Sequence, residues 1–163
     1  MTAASPPPRR APAEQQRLET MLREVFESRI HFHQFLGLKV DSLDPANTRM
    51  SFAMRPELVG NALVGRLHGG MISATLDAVG ALAIATAIAE KHGDEAAEQL
   101  GHRLGRVGTI DLRVDYLRPG TGKRFVAGGR VTRLGGRIAS VQMTLEDDHG
   151  QLVATGAAAY VVS

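Results

Sequence analysis

The sequence predicts an α+β protein in which one long helix is wrapped by a single curved antiparallel sheet. Three stretches carry that expectation. Residues 66–92, RLHGGMISATLDAVGALAIATAIAEKH, break at His68-Gly69-Gly70 and then run apolar and Ala-rich for about five turns at ~3.6 residues per turn. A helix apolar nearly all round is a buried one, and alanine lets a sheet approach it closely. The last third alternates: in GTIDLRVDYLRPG, Ile110, Leu112, Val114 and Tyr116 share one face, opposite Thr109, Asp111, Arg113 and Asp115. Ahead of both, residues 13–33 carry Leu18, Met21, Leu22, Val25, Phe26 and Ile30 at three- and four-residue steps, the pattern of an amphipathic N-terminal helix.

The 163 residues suffice for one domain with a sizeable core and fall short of two ordinary ones, so a single domain over 13–163 is expected behind a disordered Pro-rich tail, 1–12. With 4% aromatics and no Trp, its core must be aliphatic. A net charge of +2 gives no field of the kind nucleic-acid binding needs. The lack of cysteine excludes disulfides, thiolate metal sites and a Cys nucleophile, and no metal site is expected. The arginines near the N-terminus have no apolar stretch behind them, unlike a secretory signal, and a cytoplasmic location is expected. Residues 71–89 approach spanning length but hold Asp77, Ser73, Thr75 and Thr86, which argues against a membrane span.

Along the chain, His31 and His33 stand two apart with no third ligand at suitable spacing, so a helix-end or packing role is expected for them. Leu38 and Val40 begin a strand, Asp44-Pro45-Ala46-Asn47 turns it, and Met50, Phe52 and Met54 alternate in its hairpin partner. Residues 57–67 read as a loop and 93–106 as a polar surface connection. Four strands are then expected as a meander: the one ended by Pro119-Gly120, a second through Phe125 and Val131, a third through Val141 and Leu145, and a last over 152–162. That last strand is small and apolar on both faces, as an inner strand would be.

One charge interrupts the long helix: Asp77. A carboxylate in an apolar helix is expensive to bury unless it is paired, hydrogen-bonded or used. Eight residues separate it from Gly69, about 12 Å along one helix, so the two cannot serve the same small group within one chain. Two such helices antiparallel about a two-fold axis bring Gly69 of one chain opposite Asp77 of the other, which favours a homodimer with shared sites.

With His68-Gly69-Gly70 opening the helix, Asp77 nine residues after the histidine, and the VDYLRPG strand, the sequence resembles the hotdog-fold acyl-CoA thioesterases, in particular their PaaI-like and YigI-like bacterial members, over about residues 35–162. The resemblance implies hydrolysis of coenzyme A thioesters by a dimer or a pair of dimers, with Asp77 as nucleophile or as general base on water. Coenzyme A is then part of the substrate and no further cofactor is expected. Gly69, with Gly70 beside it, takes the oxyanion-hole position, where helix N-terminal amides face a developing negative charge. His68 either orients the loop or bonds the substrate. Asn61 is a candidate for positioning the attacking water, although the family often has its asparagine six residues before the histidine and Asn61 stands seven before. Ser73 is a further polar candidate, and Arg118, Lys123 and Arg124 beside a turn are candidates for the coenzyme A phosphates. The aliphatic, Ala-rich helix suggests a medium- to long-chain fatty acyl group. A hydratase or dehydratase of the same fold, and a non-catalytic acyl-CoA or acyl-carrier binding module, are the alternatives.

Overall fold

The computed structural model describes residues 9–163. Of the expected tail, residues 1–8 lie outside that range. Arg10 is ordered in place: its guanidinium donates to the carbonyls of Ala89, His92 and Glu95 at 3.0, 2.9 and 2.7 Å. It thereby caps the far end of the long helix, where orphan carbonyls favour a cation.

The chain opens with α1 (Pro12–Glu24), which passes into a π-helical turn over Val25–Arg29, closed by Ile30 N–H to the Val25 carbonyl, and then into α2 (His31–Leu36). The single amphipathic helix expected over 13–33 is therefore three pieces. The apolar three-four spacing persists through the π turn, which is why sequence periodicity does not register the break. Leu18, Leu22, Phe26 and Leu36 are the buried side chains of the three pieces.

The hairpin follows as β1 (Lys39–Ser42) and β2 (Thr48–Ala53), with Lys39 opposite Ser51. The expected loop contains a short 3₁₀ turn, Pro56–Leu58, and a small two-stranded ribbon, β3 (Val59–Asn61) with β4 (Arg66–Leu67). The ribbon delivers the chain to α3 (Gly69–Lys91), and the polar connection beyond it holds α4 (Ala97–Leu104). The last four strands are β5 (Gly108–Tyr116), β6 (Arg124–Leu134), β7 (Ile138–Asp147) and β8 (Leu152–Val161).

All the long strands join one antiparallel sheet of six, in the order β1-β2-β6-β7-β8-β5. The expected four-strand meander is thus three strands, β6-β7-β8, with β5 on the far edge beside β8 instead of beside β6. Period-two alternation says which face a residue takes and nothing about which strand lies alongside. The Ala-rich β8 is an inner strand, as its composition predicts.

Helix α3 lies across β2, β5, β6, β7 and β8. It is long and apolar enough to cross a membrane by length and composition, yet Leu76, Val79, Leu82 and Ile84 are wholly enclosed by the protein itself. Close approach needs small residues on both sides. A Cβ on Gly129 of β6 would stand 2.8 Å from the Val79 carbonyl, and one on Gly80 of α3 would stand 2.5 Å from the Tyr160 hydroxyl. Both are inside van der Waals contact, so glycine at these positions sets how near sheet and helix lie.

Candidate active site

Asp77 is half-buried on α3 and faces β5 and β8. Thr109 Oγ1 donates to its Oδ1 at 2.8 Å, and the Tyr160 hydroxyl lies 3.0 Å from the same oxygen and 2.9 Å from the Asp77 main-chain carbonyl. Oδ2 has no hydrogen-bond partner among the described residues, and no cation there pairs with the carboxylate. One oxygen is fixed and the other is free. Tyr160 is fully enclosed, and burial, followed by the charge and hydrogen bond of Asp77, pushes its pKa upward, so the hydroxyl keeps its proton and remains a donor.

Asp77 also lies in the wall of a cavity of about 400 Å³ between α3, the N-terminal helical segment and α4. Met21, Val25 and Phe26 form one side, Ala81 and Ala85 the floor, and Leu104 the other side. This volume is within the ~300–1,000 Å³ of ordinary ligand pockets, and its lining is apolar apart from Asp77 and His33.

His33 is where the structure departs most from the expected site. Its Nδ1 is 3.0 Å from the Phe26 carbonyl in the π turn, and its ring is 5.8 Å from that of Phe26, which agrees with a packing role. It also lines the Asp77 cavity, and Asp77 is near enough for its charge to act on the imidazole. Burial lowers the His33 pKa from its ordinary value; the Phe26 bond and the Asp77 charge oppose the fall without reversing it.

The start of α3 is arranged differently from the expected pair of open amides. His68 is the N-cap, and its Nδ1 accepts from the Gly70 N–H at 2.8 Å. The Gly70 amide is therefore occupied, and among the described residues the Gly69 N–H alone is left without a partner at this helix start. Tyr116, at the end of β5, stands over Gly69 and donates to its carbonyl at 3.3 Å. Asn61 lies in the neighbouring ribbon and turns its Oδ1 back to the Leu63 N–H at 3.1 Å, an Asx-type closure of its own loop. Ser73 Oγ donates to the carbonyls of Gly69 and Gly70 at 3.3 and 3.2 Å, the back-bonding usual for serine in a helix.

The three basic candidates do not form one cluster. Arg124 is paired with Asp41 at 2.9 Å and also donates to Ser51, across β1, β2 and β6. Arg118 donates to the Leu152 carbonyl at 3.1 Å, and Lys123 is exposed. The turn bearing Arg118 and Lys123 is tied to β4 by Leu67 N–H to the Gly120 carbonyl at 2.8 Å, which places it beside the start of α3.

Thr109, Tyr160 and His33 are the site residues that sequence reasoning missed. A buried tyrosine hydroxyl must find a partner, and that was the available signal for Tyr160. Thr109 had none: strict alternation sets it opposite Leu112, but a bulge between Thr109 and Asp111 swings Ile110 outward and re-aims Thr109 at α3.

The family model of the thioesterase superfamily matches residues 64–154, which include the helix with Asp77 and β5 to β7. The medium/long-chain acyl-CoA thioesterase YigI of Salmonella typhimurium is 35% identical over 142 residues, 87% of this chain and 92% of that protein, and YigI of Escherichia coli is 34% identical over the same length. A crystal structure of a Shewanella oneidensis protein related to the thioesterase superfamily superposes with a TM-score of 0.86 at 38% identity, covering 93% of this chain and 99% of that one. A mutant form of the phenylacetic acid degradation protein PaaI of Thermus thermophilus superposes with a TM-score of 0.64 at 26% identity, over 82% and 99%. The chain belongs to the thioesterase superfamily, as a thioester hydrolase of the PaaI-like hotdog fold.

Proposed function

We propose that the protein hydrolyses medium- to long-chain fatty acyl-CoA to the free acid and coenzyme A, with Asp77 as the reacting carboxylate. The observation that carries this reading is the placement of Asp77: one oxygen is fixed by Thr109 and Tyr160, the other has no hydrogen-bond partner among the described residues, and the residue lines an apolar cavity of about 400 Å³. The acyl chain occupies that cavity and brings the thioester carbonyl to Asp77. Either Asp77 removes a proton from water as the water oxygen attacks the carbonyl carbon, or its Oδ2 attacks that carbon directly. In both routes the carbonyl oxygen becomes negative, the C–S bond breaks, and the thiolate leaves to take a proton. The first route gives the free acid directly; in the second the acyl–Asp77 anhydride is then hydrolysed by water, which releases the acid and restores the carboxylate. The YigI relatives, named for the same substrate class, support the assignment.

The oxyanion donor is the Gly69 N–H of a second copy. In one helix the Gly69 amide and Asp77 are about 12 Å apart, so each complete site draws on two chains. Strand β5 supports this. It is an edge of the sheet, and Ile110, Tyr116 and Leu117 expose 54%, 56% and 48% of their surface. Edge strands with apolar side chains pair with another strand unless something blunts them. Arg118 and Lys123, beside the start of α3, receive the coenzyme A phosphates, whereas Arg124 is committed to Asp41. The cellular setting is cytoplasmic, where acyl-CoA is made and used.

Thiol release from octanoyl-, lauroyl-, palmitoyl- and phenylacetyl-CoA tests the proposal. Asp77→Asn should lower kcat by about 10²–10⁴-fold on the fatty substrates, the range of a lost acid-base group. A folded variant with full activity removes Asp77 from the chemistry. Preference for phenylacetyl-CoA overturns the fatty assignment. The shared cavity of His33 and Asp77 favours one second reading, hydration of an enoyl-CoA by a histidine-acid pair; loss of enoyl absorbance without thiol release would establish it.

A further inference from the structure

A second cavity, of about 500 Å³, lies beside the first along the same helix. Thr86 and Ala89 of α3 form part of its floor and Leu18 and Leu43 part of its walls, while Arg9, Gln15, Glu19 and Glu90 are exposed at its rim. Among the described residues one side chain lines both cavities: Leu22. It is only 2% exposed, standing between them.

The floor continues beneath it. Asp77, Ala81, Ala85 and Ala89 follow one another at four-residue steps, so they share a face of α3. At ~1.5 Å per residue the row runs about 18 Å from the carboxylate, and beyond Asp77 no side chain on it is larger than a methyl. The first two alanines line the near cavity and the third the far one. Only Leu22, projecting from α1, interrupts the path. A leucine on a helix hops between staggered rotamers, and such a hop has empty space on both sides to enter.

We propose that Leu22 is the partition that sets acyl-chain length: a medium chain ends against it in the near cavity, and a long chain displaces it and seats its methyl end in the far cavity. This rests on the acyl-CoA reading above and assigns a distal subsite to it. Each methylene removed from water is worth about fourfold in binding, so a chain that passes Leu22 gains affinity only where the far cavity receives it.

The test is kcat/KM of the full chain on octanoyl-CoA and palmitoyl-CoA, read as a ratio. Leu22→Ala joins the two cavities and should raise the palmitoyl-to-octanoyl ratio by about tenfold. Ala89→Leu fills the far cavity without touching the near one and should lower the ratio by about tenfold. Thermal melts and circular dichroism establish that each variant is folded; if Leu22→Ala is not, Ala89→Leu decides alone. A ratio within twofold of wild type in a folded Ala89→Leu overturns the partition. Wild-type protein that turns over no acyl-CoA overturns instead the reading on which the partition rests, which is a different result from an unchanged ratio.

Discussion

The Tyr160 hydroxyl and the Asp77 carboxylate are 3.0 Å apart, and the same hydroxyl is 2.9 Å from the Asp77 main-chain carbonyl. One buried group therefore fixes both the backbone and the side chain of Asp77, the carboxylate proposed to react. Gly80 makes this possible, because any Cβ there would meet the hydroxyl at 2.5 Å.

Tyr160→Phe isolates that bond. The ring still fills its place in the core, so the fold should lose about 1 kcal/mol, the net value of one hydrogen bond. A carboxylate held by Thr109 alone spends less time in attack geometry, and kcat should fall about tenfold with little change in KM. Thermal melts paired with steady-state kinetics measure both. An unchanged kcat assigns the bond to stability alone.

His68 is predicted to act as a cap, since its Nδ1 is occupied by the Gly70 amide. His68→Ala should destabilise by about 1 kcal/mol and reduce activity through fraying of the Gly69 amide. Asparagine is a good N-cap with the reach to accept the same bond, so His68→Asn should restore both the melting temperature and most of the activity. Restored stability with lost activity would instead give His68 a contact with substrate.

What the sequence made legible follows from periodicity. The long helix, its buried character and the one anomalous charge at Asp77 are all visible in a window of about six turns. The alternating strands are equally local. The position of β5 beside β8 is not, because strand order is a long-range choice that no alternation encodes. Thr109 was hidden by a one-residue bulge, which reverses the face that alternation assigns to it. His33 was hidden by distance: it is 44 residues before Asp77, and it reaches the same cavity only because the N-terminal segment folds over α3 through a π turn. Helix rules leave the first amides orphaned and so predict an open Gly70 amide, whereas His68, just ahead of the helix, already satisfies it.

The proposed shared-site dimer predicts a link between assembly and turnover. Ile110 is 54% exposed on the edge strand, so Ile110→Lys should leave the protomer folded while replacing an exposed apolar side chain of that edge with a charge. Sedimentation velocity should show a shift from dimer to monomer, and activity should fall in proportion to the dimer lost. A fully active monomer would mean that each site is complete within one chain.

The last prediction concerns pH. Burial lowers the His33 pKa below its ordinary 6.5, outweighing the opposing Phe26 bond and Asp77 charge. In the unfolded chain the imidazole takes its proton near 6.5; in the folded protein it does so only at lower pH. Between those two values the unfolded state binds more protons, so stability rises with pH there. The contribution is complete above 6.5, is lost as pH falls through the folded pKa, and is constant below it. Denaturant titrations of wild type and His33→Gln between about pH 7.5 and pH 5 separate this from the other histidines, which are common to both proteins. Wild type should lose more stability than the variant across that window. The variant also lacks the Phe26 bond as wild type makes it, which adds an offset that does not vary with pH. Parallel curves would show that the imidazole titrates alike in the folded and unfolded chain, and that its place beside Asp77 is too well solvated to matter.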